Sequence, residues 1–138
     1  MHFLPFSLRV IPRTLQFKQP AGTSRGVYYN RKVWYILLTS SDPQLRFTGL
    51  GECAPLYDLS CDYDEHYEER LRKICQEVEE TQNLDSNSLR PYPSILFGLQ
   101  SAFRSAAGSL AGDYLKLYPS AFTKGEKGIP INGLVWMG

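Results

Sequence analysis

The chain has 138 residues, 43% hydrophobic and 21% charged, the balance of a globular domain rather than of a disordered segment. Fifteen Lys plus Arg against fourteen Asp plus Glu leave a formal charge of +1, which gives no general pull toward nucleic acid or anionic lipid. No run reaches the roughly 20 apolar residues of a membrane span, the N-terminus lacks a secretory pattern, and Cys53, Cys61 and Cys75 are too loosely spaced for a disulfide framework. The expected home is the cytoplasm, with no nucleic-acid and no membrane partner.

Phe6, Leu8 and Val10 alternate with polar or small residues, and Leu15 and Phe17 resume the alternation past Pro12. This pattern predicts one long strand bent or bulged near the proline, which cannot donate to a ladder. Residues 19–26 hold a proline, two glycines and hydroxyls and are expected to form a mobile, exposed loop. The dense β-branched and aromatic run of residues 32–39 predicts a strand covered on both faces. Ser40 to Pro43 turn the chain and residues 46–52 return it, completing a three-stranded antiparallel meander.

A helix is expected to open around Ser60 to Asp62, good cap types, with Tyr63, Tyr67, Leu71, Ile74, Cys75 and Val78 at helical spacing. Its outer face pairs Glu68 with Arg72 and Glu69 with Lys73 at i,i+4. A second helix follows Pro93, with Ile95, Leu99, Ala102, Phe103, Ala106 and Leu110 on one face. Gly98, Ala102 and Ala106 make a row of small residues that admits another backbone, and Gly112-Asp113 ends the helix. Residues 114–118 are compatible with a short further helix. Ile129 to Met137 then read as a continuous apolar strand, the mark of a parallel strand covered on both faces. Such a strand needs a crossover to its partner, and the chain stops at Gly138 before one is built.

Gly49-Leu50-Gly51-Glu52-Cys53-Ala54 fits a dinucleotide fingerprint in spelling, but Pro55 follows where a helix N-terminus is required. The acids Asp62, Asp64, Glu65, Glu68 and Glu69 suit the first turns of a helix better than the alternating ligands of a calcium loop. The cysteines and His66 lack zinc spacing, and no strained G-x-S-x-G elbow is present. Lys124 and Lys127 sit among glycines, as in a solvated turn. Two loops remain, residues 21–26 and 55–60. Both leave the same end of the meander, a common place for recognition. Arg25 is the fixed charge there and has the geometry to hold a carboxylate through two hydrogen bonds. An exposed arginine without a partner explains it equally well.

The segments Thr23 to Val27, Val33 to Leu38 and Gly49 to Leu56 together resemble the capping domain of the enolase superfamily, in its muconate-lactonising subgroup. Residues 93–102 and 129–134 narrow the resemblance to a dehydratase branch. It implies an α+β fold in which residues 1–128 form the capping domain, a meander and a helical bundle. Residues 129–138 would be the first strand of a (β/α) barrel. Such a barrel takes roughly 250 residues and lies beyond this chain.

In that family lysines on barrel strands abstract a proton alpha to a carboxylate, and Mg²⁺ held by barrel carboxylates stabilises the enediolate. The resemblance therefore implies a Mg²⁺-dependent lyase whose catalytic and metal residues are absent here, so that this chain by itself is inactive. What carries over are specificity positions: Thr23, Ser24 and Arg25 in one loop, Leu56 in the other, and Asn132 at the first barrel strand. The implied partners are a small dicarboxylate substrate and the protein's own C-terminal barrel. Uncovered Leu134 to Met137 would favour homo-oligomers. A racemase or dipeptide epimerase on the same scaffold, or a free-standing binding module, are the alternatives.

Overall fold

The computed structural model describes residues 5–112 and 119–133. Three strands, β1 (Phe6–Thr23), β2 (Gly26–Ser40) and β3 (Thr48–Cys53), precede two helices, α1 (Tyr67–Thr81) and α2 (Pro93–Leu110). The strands form one antiparallel sheet in the order β1-β2-β3. This is the α+β meander and helical pair expected from the hydrophobic pattern.

Side chains on a strand alternate between faces, so Trp34, Ile36 and Leu38 of β2 share one face with Phe6 and Val10 of β1. That face carries the core, packed against Leu71, Ile74, Cys75 and Val78 of α1 and Ile95, Leu99 and Phe103 of α2. Phe103 meets Phe6 edge-on, with ring centroids 5.1 Å apart. Ile36, Leu38, Leu71 and Leu99 are wholly buried, each stabilising the fold by about 1.5–3 kcal/mol relative to exposure.

The glycines of β3 are explained by α2. A Cβ at Gly49 would stand 2.0 Å from the carbonyl oxygen of Ala102, and one at Gly51 would stand 1.8 Å from that of Gly98. The small-residue row therefore packs against a strand, backbone on backbone, rather than against another helix or a barrel. The G-x-G spelling records this close approach, not a phosphate site.

Helix side chains cap the outer edge of β3 and the start of that of β1. Ser109 Oγ accepts from the Thr48 N–H at 3.2 Å and Ser105 Oγ from the Leu50 N–H at 3.1 Å, capping the free side of β3. On β1, Gln82 Oε1 accepts from the Phe6 N–H and Gln82 Nε2 donates to the Phe6 carbonyl, both at 3.0 Å, as a neighbouring strand would. Glu79 Oε2 accepts from the Leu8 N–H at 2.6 Å. These bonds satisfy backbone groups that would otherwise template edge pairing. They also hold Gln82 in the left-handed region, at φ 50°, where it ends α1.

Several expectations are corrected. The N–H groups of Phe6 and Leu8 point off the sheet, and by the two-residue period Pro12 falls on that same side. Its missing donor costs no ladder bond, and Pro12 pairs with Trp34 without a bulge. The irregularity lies between Gln16 and Ala21 instead. Residues 19–26 are mostly strand rather than loop: β1 runs to Thr23, which pairs directly with Gly26.

The first helix begins at Tyr67, not near Asp62, because the Asp62 carboxylate is engaged elsewhere. Residues between them form turns, with Asp64 Oδ1 accepting from the His66 N–H at 2.9 Å. Glu68 does pair with Arg72, whereas Glu69 lies 3.7 Å from His66 and not on Lys73. Gly112, at φ 75°, follows the end of α2 as expected. Residues 114–118 and 134–138, where a short helix and most of the last strand were expected, lie outside the described residues. Ile129 to Gly133 are exposed and unpaired by any strand among the described residues.

Candidate functional site

Beyond β3 the first two strands continue as a two-stranded arm. Ser24 and Arg25 form its turn, and Gly26 takes φ 137°, a region glycine enters without strain. Thr23 Oγ1 braces the turn, accepting from the Arg25 N–H at 3.1 Å and donating to the Gly26 carbonyl at 3.2 Å. The segment after β3 is closed by Ser60, whose Oγ accepts from the Leu56 N–H and whose N–H donates to the Leu56 carbonyl, both at 2.9 Å.

A cavity of about 510 Å³ lies between arm and segment, a size that suits a small ligand. Four of the five expected positions line it: Thr23, Ser24, Arg25 and Leu56. Asn132 is exposed and does not line it. The pattern did not single out Tyr28, Arg31, Lys32 or Tyr63, which also face the cavity. The missing signal was strand length. Once β2 is known to start at Gly26, Tyr28, Asn30 and Lys32 continue the Trp34–Ile36–Leu38 face past the helices, so a core face becomes a cavity wall.

The lining is cationic. Arg25, Arg31 and Lys32 contribute three positive charges against the single carboxylate of Asp58. Arg31 Nη2 donates to the Ala54 carbonyl at 2.6 Å, while its buried Nε has no partner. Arg25 makes one long contact, Nη1 to the Asp58 carbonyl at 3.4 Å, so most of its donors are uncommitted to protein. Tyr28 donates its hydroxyl to Asp58 Oδ2, and this bond, with some desolvation, raises the phenol above its ordinary pKa.

Lys32 lies 3.6 Å from Glu68 Oε2 and its ammonium sits 4.9 Å from the Trp34 ring centroid. Trp34 Nε1 donates to that same oxygen at 2.9 Å, and Arg72 Nη2 donates to Oε1 at 2.8 Å. The Trp34 bond first, and then Arg72, hold the Glu68 carboxyl below its ordinary pKa. A depressed folded-state pKa contributes stability that is present above the unfolded value, near 4.5, and is lost as pH falls through the folded value. Urea titrations between pH 3 and 6, a window set around that value, are expected to show stability rising with pH, with a shallower rise in Glu68→Gln. Identical slopes would remove Glu68 from the acid-sensitive set.

The buried thiols are inert: burial pushes Cys53 and Cys75 up to about 12, while Cys61 is exposed. Among the described residues no three His, Cys, Asp or Glu side chains converge to hold a metal.

No family model matches the sequence. An o-succinylbenzoate synthase from Desulfotalea psychrophila is 30% identical over 155 aligned positions, covering 90% of this chain and 40% of that protein. The chain therefore spans two fifths of the length of the curated relative it matches. Among solved structures, MenC from Desulfotalea psychrophila superposes with a TM-score of 0.62 at 23% identity, over 97% of this chain and 42% of the other. An enolase-family member from Agrobacterium tumefaciens with homology to dipeptide epimerases, bound to sodium and L-Ala-L-Glu with an ordered loop, gives 0.61 at 17% identity, over 81% and 33%. The chain therefore shares its fold with part of these structures, one of them an enolase-family member, and is similar in sequence to an o-succinylbenzoate synthase.

Proposed function

We propose that this chain is the substrate-capping part of an o-succinylbenzoate synthase. The complete enzyme would dehydrate 2-succinyl-6-hydroxy-2,4-cyclohexadiene-1-carboxylate to o-succinylbenzoate in menaquinone biosynthesis. The observation that carries the reading is the cation-lined cavity between the hairpin turn and the Pro55–Ser60 segment. Its charge suits a dicarboxylate, and the similarity to a synthase supports the choice of reaction.

In this reading the barrel supplies the proton-abstracting lysines and the Mg²⁺ ligands, and this chain alone turns over no substrate. Thr23, Ser24, Arg25 and Leu56 cover the barrel mouth, orient the substrate and exclude water from the charged intermediate. Arg25 is the proposed carboxylate clamp, since an incoming anion displaces only its one long contact. Asn132 would approach from the barrel side. The proposed compartment is the cytoplasm, where Cys53, Cys61 and Cys75 stay reduced.

An ultraviolet assay of o-succinylbenzoate formation with Mg²⁺, on the full-length protein, tests this reading. Arg25→Ala is expected to lower kcat/KM about 10- to 100-fold, the loss of a charge-assisted contact. An unchanged value removes Arg25 from the site. The second reading, dipeptide epimerisation, draws on the fold likeness to the Agrobacterium protein. Epimerisation of L-Ala-L-Glu with no o-succinylbenzoate formed would favour it.

A further inference from the structure

The two walls of the cavity are joined near the hairpin through Asp58. Its carboxylate accepts from the Tyr28 hydroxyl, and its backbone carbonyl faces Arg25 Nη1 at 3.4 Å. The neighbouring Tyr57 ring meets Tyr28 edge-on, with centroids 5.7 Å apart at 69°. Elsewhere each wall is braced locally, the hairpin by Thr23 and the segment by Ser60. Arg31 fastens only the start of the segment, at Ala54.

We propose that the hairpin turn and the Pro55–Ser60 segment move as one body, latched by the Tyr28–Asp58 hydrogen bond, which makes Tyr28 a positioning residue. The bond has a second consequence. Asp58 is the single carboxylate on the cavity lining, and Tyr28 keeps it occupied with a neutral donor. The guanidinium of Arg25 reaches only the Asp58 backbone carbonyl, so it stays available to an anionic ligand. Without the latch, the two walls would open independently. This goes beyond the capping reading and rests on it only for the identity of the ligand.

The test is backbone hydrogen exchange on the full-length protein without substrate. Tyr28→Phe keeps the ring contact with Tyr57 and removes only the donor. Exchange in residues 21–27 and 56–60 is expected to rise together, about three- to tenfold, with the amides of α1 and α2 unchanged. Asp58→Ala should reproduce this, and Asp58→Asn, which keeps an acceptor oxygen, should largely restore it. The double variant Tyr28→Phe/Asp58→Ala should be no looser than either single one. Loosening of one wall alone, or additive effects in the double variant, overturns the latch. Joint loosening in a protein that forms no o-succinylbenzoate keeps the latch and counts against the synthase reading.

Discussion

Gly51→Ala is expected to destabilise the protein by about 3–5 kcal/mol, at the severe end of single substitutions. The new methyl would stand 1.8 Å from the carbonyl oxygen of Gly98 and 2.8 Å from its carbonyl carbon. Neither atom can rotate away, because both belong to the backbone of α2, so relief requires lifting the helix off β3. That movement would also break the Ser105 and Ser109 caps on the β3 edge. Gly98→Ala provides the contrast. Its methyl would meet the Cys53 sulfur at 2.3 Å, while the nearest backbone atoms stand 3.2 Å away. Adding Cys53→Ala should therefore recover part of the loss in Gly98→Ala and none in Gly51→Ala. Urea unfolding followed by circular dichroism measures both. A Gly51→Ala protein within about 1 kcal/mol of the parent would mean that α2 sits farther from β3 than described.

Asp62→Ala is expected to cost about 2–4 kcal/mol, because Asp62 caps a helix other than the one it precedes. It is 4% exposed, and its Oδ2 accepts from the Ser94 N–H at 2.8 Å and from Ser94 Oγ at 2.6 Å. Ser94 lies in the first turn of α2, where N–H groups lack intrahelical partners and the helix dipole favours negative charge. Since Ser94 donates its proton to Asp62, the Tyr67 hydroxyl at 2.6 Å must donate to Ser94, which makes a relay of three side chains. Alanine leaves the half-buried Ser94 donors without their acceptor. Asn keeps one oxygen but no charge, and a loss near half that of alanine is expected. The unfolding curves of the two variants, with hydrogen exchange at the start of α2, decide the matter. An Asp62→Ala curve overlying the parent would deny the cap.

The long-range use of Asp62 shows where sequence reading stopped. Cap residues are recognised by position, and Asp62 stands just ahead of an amphipathic run. Nothing local reveals that its acceptors serve a helix about thirty residues later, a link that the tertiary fold alone makes. The same holds for the arm. Pro20, Gly22 and Gly26 carry the composition of a loop, yet antiparallel pairing with β2 carries the strand to Thr23 and leaves only Ser24 and Arg25 as the turn. Loop composition therefore located the two segments and Arg25, the family resemblance added Thr23, Ser24 and Leu56, and the cavity wall on β2 stayed unseen.

What the amino-acid order determined by itself was the kind and sequence of elements: three strands from alternation, a β-branched run and a turn, two helices from their apolar faces, and a cluster of loops at one end. These depend on neighbours a few residues apart, and periodicity reports them. Only the tertiary structure decided why β3 is glycine-rich, how helix side chains cap β3 and the start of β1, and which charges face the cavity. Each of those depends on backbone groups or side chains brought together from distant parts of the chain. A glycine's reason is the atom that would otherwise collide with it, and here that atom is a carbonyl forty-seven residues away, that of Gly98 over Gly51.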